Sequence, residues 1–441
     1  MIPSATHPAS SPHLQQSAAI RLAIPGIIGT AMNPNAHELW RRPRWTFALL
    51  LALLGTLGPF AVDTYIPAFS GIEAELGASK VQLQQTISAY LFGFGVMCLF
   101  HGAISDSVGR RPMVLWGLAI FAFATMGCAL SQNIAQLIFF RTVEGLSTGA
   151  CIVIARAIPR DMYPARDAQQ VMSMVTIYFG IAAAFAPLVG GWLFVWLGWR
   201  SVFWFLVGLA GVLWAANYRL LPETLHASLR QRFDATTLLR GYLKLGRDPQ
   251  FLLLAVAVGV PINGTFMYLM SAPVFLGEHL GLKPTEFFWF FTITISGVMG
   301  GAWISGRLAG KIAPKRQIRL GYLIMLGASA INLTANLLFK AHWSWAFWPL
   351  CVYCIGWAIM QPALTLLVLD LHPERRGMAS SLQVFIGSMA NGITAGVLAP
   401  LVMHSTRSLA VMSVAILCVS LGAWWLAHRA WPEIGRGVVS H

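Results

Sequence analysis

The run Gly102-Ala-Ile-Ser-Asp106-Ser-Val-Gly109-Arg110-Arg111-Pro112 is a short charged hairpin between two apolar stretches, 84–104 and 112–130. A similar run recurs two hundred residues on. There, Gly306-Arg-Leu-Ala-Gly310-Lys311, with Lys315 and Arg316 behind it, separates the apolar stretches 286–308 and 318–339. The interval from Gly102 to Gly117 equals that from Gly306 to Gly321. A second pair repeats as well. Asp161-Met-Tyr-Pro164-Ala-Arg166 and Asp370-Leu-His-Pro373-Glu-Arg375 keep Asp, Pro and Arg at the same spacing. The chain is therefore built as two tandem copies of one pattern.

Composition says what kind of pattern it is. Of 441 residues, 57% are hydrophobic and 10% charged, whereas a soluble domain carries about 25% charged residues. So few charges do not cover a water-facing surface of this size. Twelve apolar segments can be marked: 46–68, 84–104, 112–130, 134–156, 171–193, 201–220, 251–274, 286–308, 318–339, 344–366, 379–402 and 408–428. Each approaches or exceeds the roughly 20 residues that carry a helix across the hydrocarbon. Helices satisfy their backbone groups within one segment, which lipid demands. The expectation is an all-α membrane protein of twelve transmembrane helices in two six-helix pseudo-repeats.

The longest polar connection, 221–250, holds Arg230, Arg232, Arg240, Lys244 and Arg247. It divides the chain into a tail at 1–45, a six-helix bundle at 46–220, a linker at 221–250, a second bundle at 251–428 and a tail at 429–441. The first tail is polar and rich in Pro, Ser and Ala, and its apolar stretch is interrupted by Arg21 and Pro25. It reads as a disordered tail and not as a signal peptide. With both termini on the cytoplasmic side, that side holds 24 of the 30 Lys and Arg. The other side holds Lys80, Arg200, Lys283, Lys340 and Arg407, and Arg141 lies inside a segment. The positive-inside rule thus sets cytoplasmic termini. It also accounts for the net charge of +14 without nucleic acid.

Other function classes lack their residues. The six Cys fall within apolar runs, and the single Cys351-x-x-Cys354 has no second pair or His cluster to complete a metal site. They read as buried, inert thiols. No G-x-x-x-x-G-K-[ST] loop is present, since Gly306–Lys311 is one residue short and is followed by Ile312. No HExxH motif appears, and Gly145-x-Ser147-x-Gly149 lies inside the apolar segment 134–156, where it forms no strand-to-helix nucleophile elbow. The chain is expected to be no enzyme and to use neither cofactor nor metal.

Three motifs resemble the major facilitator superfamily, and within it the drug:proton antiporters of the Bcr/CflA drug-resistance branch. They are Asp63-Thr-Tyr-Ile-Pro67, the Gly102–Pro112 run, and Arg156-x-x-x-Arg160-Asp161-Met-Tyr-Pro164. The resemblance covers about residues 46–430. It implies a transporter of the bacterial inner membrane that exports lipophilic or cationic drugs in exchange for protons by alternating access. The partners implied are a small-molecule substrate, protons and the lipid bilayer, with the chain acting as a monomer. An exporter dedicated to one nucleoside, amino acid or sugar derivative is the runner-up on the same fold.

Charged residues at membrane depth point to function, because each is costly there. Asp63 lies some 17 residues into the first segment. A carboxylate there can hold either a proton or a cationic substrate, and that competition is the simplest device for antiport. Pro67 is expected to bend the helix one turn later. Arg141 and Glu144 are three apart in the fourth segment, hence on one face and able to pair. The resemblance implies a proton-coupling role for Arg141. Glu144 departs from the family's neutral residue, and it is either the partner of Arg141 or a second titratable carboxylate.

The resemblance makes Gly102, Asp106, Gly109, Arg110 and Arg111 a conformational latch. In it Asp106 pairs with Arg110 or faces a helix N-terminus, and the two glycines permit close helix approach. Ala182-x-x-x-Ala186-Pro187-Leu-Val-Gly190-Gly191 resembles the superfamily's antiporter motif, with Ala where Gly is usual. Its small residues would pack the fifth helix against the other bundle. Tyr65, Tyr90, Met174, Tyr178, Asn263, Met267 and Tyr268 are the expected substrate-contacting residues, aromatic or adaptable side chains suited to lipophilic ligands. His101, His279, His342, His372 and His404 lie near segment ends and read as interfacial.

Overall fold

The structure is a computed structural model that describes residue 40 and residues 43–431. Most of the two expected tails lies outside the described residues. Among the described residues, eleven helices are long and apolar enough to cross a membrane, and a bent pair makes the twelfth. In order they are Arg44–Leu76, Lys80–Val108, Arg110–Leu130, Ile134–Met162, Asp167–Leu197 and Arg200–Leu220, then the bent pair Pro249–Gly259 and Asn263–Met270, then Pro284–Leu308, Pro314–Leu338, Trp345–Asp370, Pro373–Val402 and Thr406–Ala430. All twelve expected segments correspond to one of these, and most helices run several residues longer than the apolar core of the segment. They are called spans one to twelve below. The face that holds the described ends of the first and last spans is called the basic end.

Local chemistry explains where the spans start and stop. Span two opens on a capping box, in which the Ser79 side chain accepts from Gln82 N and the Gln82 side chain accepts from Ser79 N. Span four is capped by Asn133 through the Gln136 amide, and span twelve by Ser405 through the Ser408 amide. Span two ends at Gly109, whose φ of +109° belongs to glycine. That residue turns the chain directly into span three.

Two spans are broken, span one near the bend expected at Pro67 and span seven where no bend was expected. In span one the α-helix ends at Asp63, a 3-10 turn covers Ile66–Ala68 around Pro67, and helix resumes at Phe69. Pro67 sits in the first turn of that short element, where its missing N–H costs nothing. Span seven bends by 48° across Val260–Ile262, because Pro261 stands at the break. A π-helical turn, Pro273–His279, then prolongs it.

The packing is asymmetric along the membrane normal. One buried core runs through the whole first half and continues into the second through Met267, Tyr268, Phe275, Phe290 and Phe347. A separate core, including Tyr242, Phe251, Tyr322 and Leu417, occupies the basic end of the second half. The halves are thus fused away from the basic end. Direct contacts agree. Ser88 Oγ donates to Gly392 O at 2.7 Å, Gln84 Nε2 reaches Met403 Sδ at 3.2 Å, and Lys80 pairs with Glu278. On spans five and eight, the Phe185 and Phe288 rings lie 6.0 Å apart.

Between the halves, the linker forms a helix at Ala235–Gly246, capped by the Asp234 carboxylate on the amides of Thr236 and Thr237. Those bonds hold the Asp234 carboxyl well below the usual carboxylate range.

Candidate functional site

The break in span one presents Asp63. The residue is 8% exposed, and no hydrogen bond or ion pair joins its side chain to another described residue. An unpaired carboxylate in a buried setting is uncommon, since burial of an uncompensated charge is expensive. It stands on a turn that the fold holds tightly. Gly190 of span five lies so close that an added Cβ would fall 2.1 Å from the Thr64 carbonyl oxygen. Gly191 faces the other half, where a Cβ would fall 2.8 Å from Pro284 O. Pro187 is buried in the same helix. The small-residue motif therefore wedges span five between the break in span one and the start of span eight.

Arg141 grips the same turn from within the first bundle. Its guanidinium is fully buried and donates from Nη1 to Glu144 Oε2 at 2.7 Å and to Ala61 O at 3.0 Å. It also lies between two rings, with Cζ 4.9 Å from the Tyr65 centroid and 4.5 Å from that of Tyr90. Ala61 and Tyr65 flank Asp63 in sequence, so Arg141 holds both sides of the turn that carries it. The Arg141 Nε and Nη2 atoms make no hydrogen bond among the described residues. Glu144 is satisfied on its far side by the Thr125 hydroxyl at 3.0 Å and the Cys128 thiol at 3.9 Å.

This environment relocates several expected substrate-contacting residues. Tyr65 is fully buried, packed on Phe69 and Phe203 and bonded to Thr86 Oγ1 at 2.9 Å. Tyr90 is likewise buried and reaches Gly58 O at 3.4 Å. In the second half Asn263, Met267 and Tyr268 are buried, and Asn332 Nδ2 donates to the Tyr268 hydroxyl at 2.8 Å. Met174 and Tyr178, both on span five, keep part of their surface free. Sequence carries no sign of this difference, because an aromatic that packs and one that lines a cavity look the same in an apolar helix.

The charged hairpin is more elaborate than its sequence shows. Arg110 Nη1 pairs with Asp106 Oδ1 at 2.5 Å, and Arg110 Nε with Asp161 Oδ2 at 2.8 Å. Glu223, from the linker, accepts from Arg110 N at 3.0 Å and Arg111 N at 3.3 Å. It thereby caps the N-terminus of span three, where a carboxylate is favoured. Gln231 N donates to Asp106 O at 3.1 Å, and Arg111 Nη2 donates to Tyr218 O at 2.6 Å. A Cβ on Gly109 would fall 2.4 Å from Glu223 Oε2, so that glycine serves both its φ and this contact. Gly102 differs, because nothing lies within 4 Å of the position of its Cβ; the close helix approach expected of it is absent. Asp161 and Glu223 were missed as members of this cluster. The Asp161 repeat was the available signal for the first, and nothing local marked the second.

Two smaller expectations are corrected. Cys418 is exposed, on the outer surface of span twelve, while the other five thiols are buried. His101 is 2% exposed and lies inside the first bundle against Gly149, so it is not interfacial. His372 pairs with Asp248 at 2.9 Å, and His279 bonds Met403 O at 3.0 Å. Among the described residues, no group of three or more His, Cys, Asp or Glu is placed to hold a metal ion.

Helical spans in two repeats, with Asp63 at a break in span one and the buried Arg141–Glu144 pair beside it, are the architecture of a transporter of the facilitator fold. The chain belongs to the Major Facilitator Superfamily, whose family profile matches residues 51–395. It is similar to the bicyclomycin resistance protein homolog of Haemophilus influenzae, 25% identical, covering 87% of this chain and 96% of that one. It is also similar to multidrug resistance protein D of Escherichia coli, 28% identical, over 87% and 97%, and to the uncharacterized MFS-type transporter YdgK of Bacillus subtilis, 29% identical, over 79% and 86%. Among solved structures, a bacterial homolog of the human lysosomal transporter Spinster, in an inward-facing and unoccupied conformation, superposes with a TM-score of 0.68 at 17% identity, over 90% of this chain and all of that one. The D-xylose-proton symporter gives 0.63 at 16%, over 86% and 97%. At such identities these two likenesses speak for the fold alone.

Proposed function

We propose that this chain exports small lipophilic or cationic compounds, drugs among them, across a bacterial plasma membrane in exchange for protons. The observation that carries this reading is Asp63: a buried carboxylate without a partner among the described residues, on a helix break held between Arg141 and Gly190. Such a group accepts a proton or a cationic substrate, but not both at once. The curated relatives named for bicyclomycin and multidrug resistance support a drug as the cargo.

Arg141 and Glu144 act with Asp63 as the coupling group. Arg141 bonds Ala61 O and stacks on Tyr65, so a change in charge at Asp63 alters the turn that the guanidinium holds. Met174 and Tyr178 are the substrate-contacting residues favoured by their free surface, while Tyr65, Tyr90, Asn263, Met267 and Tyr268 shape the walls from behind. The cluster of Asp106, Gly109, Arg110 and Arg111 works as the latch, with Asp161 and Glu223 as further members. The termini and the basic end face the cytoplasm, in keeping with the 24-to-five partition of Lys and Arg. Two bundles, 46–220 and 251–428, rock about the contacts that join them away from that end. A single chain suffices for this cycle.

The test is transport in reconstituted vesicles. An imposed pH gradient should drive accumulation of a cationic drug against its concentration gradient, and ATP should have no effect. A panel of toxic compounds in an efflux-deficient host should show protection against several unrelated molecules. Transport that persists unchanged after the proton gradient is collapsed overturns the antiport reading.

A further inference from the structure

The linker helix Ala235–Gly246 carries three distinct stripes. At 100° per residue, Leu238, Gly241, Tyr242 and Leu245 fall on one side, Leu239 and Leu243 on a second, and Arg240, Lys244 and Arg247 on a third. The first stripe is the docked one. Gly241, Tyr242 and Leu245 are buried. The Tyr242 hydroxyl donates to Leu99 O of span two at 2.7 Å. A Cβ on Gly241 would fall 2.7 Å from Met378 Sδ of span eleven. The helix thus lies across the seam between the two halves at the basic end.

The other two stripes are free of the protein. Leu239 is 55% exposed and Leu243 52%. Arg240, Lys244 and Arg247 are exposed and form no ion pair with another described residue. Two exposed leucines beside three unpaired cations do not fit water. They fit the boundary of a bilayer, where the leucines enter the acyl region and the cations meet phosphates.

We infer that the linker helix is a membrane-surface element of the adjacent leaflet, in which Leu239 and Leu243 enter the acyl region and Arg240, Lys244 and Arg247 bind acidic phospholipid headgroups. Because its first stripe bridges spans two and eleven, the lipid steadies that seam. Each basic residue near an anionic surface strengthens attachment about fivefold, so the three together contribute roughly a hundredfold.

The experiment uses the full chain in nanodiscs of phosphatidylcholine alone or with phosphatidylglycerol, and it needs no transport substrate. A nitroxide is placed by L243C in a C418S background, since Cys418 is the exposed native thiol. In discs with phosphatidylglycerol the label should collide with oxygen and be shielded from a water-soluble nickel chelate. The triple variant R240Q/K244Q/R247Q should restore chelate access in the same discs. Amide exchange over 235–247 of the unlabelled chain gives a second reading: it should slow with phosphatidylglycerol in the parent and not in the triple variant. Equal chelate access in both lipids, or equal exchange in both, overturns the inference. So does a triple variant that keeps the parent's lipid dependence.

Discussion

Gly190 and Thr64 touch through backbone alone: a methyl group on Gly190 would fall 2.1 Å from the Thr64 carbonyl oxygen. The contact seats span five against the residue that follows Asp63. Gly190→Ala must therefore displace one of two helices at the break. Overpacking of this kind costs about 1–3 kcal/mol. The melting temperature in detergent should drop and drug transport should fall sharply. Gly208, with nothing within 4 Å of its Cβ position, is the control. Gly208→Ala should leave both measurements unchanged or slightly improved, as alanine is the better helix former by up to about 1 kcal/mol.

Asp63→Asn fixes the turn in a form resembling its protonated state. Insertion should be preserved, since removing a buried charge lowers its cost. Proton release on drug addition, read with a pH dye in weak buffer, should vanish. Cationic drugs should lose affinity most, and neutral ones should bind but no longer be driven uphill. Glu144→Gln is the paired measurement. Unaltered proton release in Asp63→Asn transfers the proton site to Glu144.

The Arg141–Glu144 pair separates stability from coupling. Removing one partner strands the other charge in the interior, at about 3–5 kcal/mol. Glu144→Gln should thus lower the melting temperature strongly, and Arg141→Met likewise. The double variant Arg141→Met/Glu144→Leu should regain most of that stability, because an apolar pair of similar volume is close to neutral. It should not regain proton-coupled transport. Recovery of coupled transport in the double variant assigns the pair a purely structural role.

Within the latch, the two acids on Arg110 differ in exposure. The Asp106 side chain is 42% exposed and that of Asp161 19%. Asp106→Asn should cost about 0.5 kcal/mol, the scale of an exposed i,i+4 pair. Asp161→Asn removes a charged hydrogen bond in a drier site and should cost about 2 kcal/mol. Glu223→Ala uncovers the first amides of span three and should cost about 1 kcal/mol, as loss of a cap does. All three should retain substrate binding while turnover falls, measured as equilibrium binding against initial transport rate.

The spans were legible in the sequence because their cause is local. A helix crosses lipid if some twenty consecutive residues are apolar, and each stretch carries that property by itself. The repeat and the partition of Lys and Arg were likewise readable residue by residue. So was one ion pair, Arg141–Glu144, since i,i+3 neighbours share a helix face wherever the helix lies; Asp106 and Arg110 stand on two different helices, and Gly109 turns them toward each other. Broken helices were less legible: Pro67 marked a bend in span one, but not that the helix would end four residues earlier, at Asp63.

Tertiary structure alone decided the partners across long separations. Asp161 meets Arg110 over 51 residues and Glu223 meets it over 113. Arg141 finds Ala61 over 80. No helical period encodes such distances. Tertiary structure also separated glycines that pack, such as Gly190 and Gly191, from Gly102, which faces open space. It placed Tyr65 and Tyr90 around a guanidinium where the sequence had suggested a drug-lined wall. In a soluble helix the polar face reveals which side is out. Here lipid and protein interior are both apolar, so the side chain types facing them are alike, and only the packing of the spans tells one from the other.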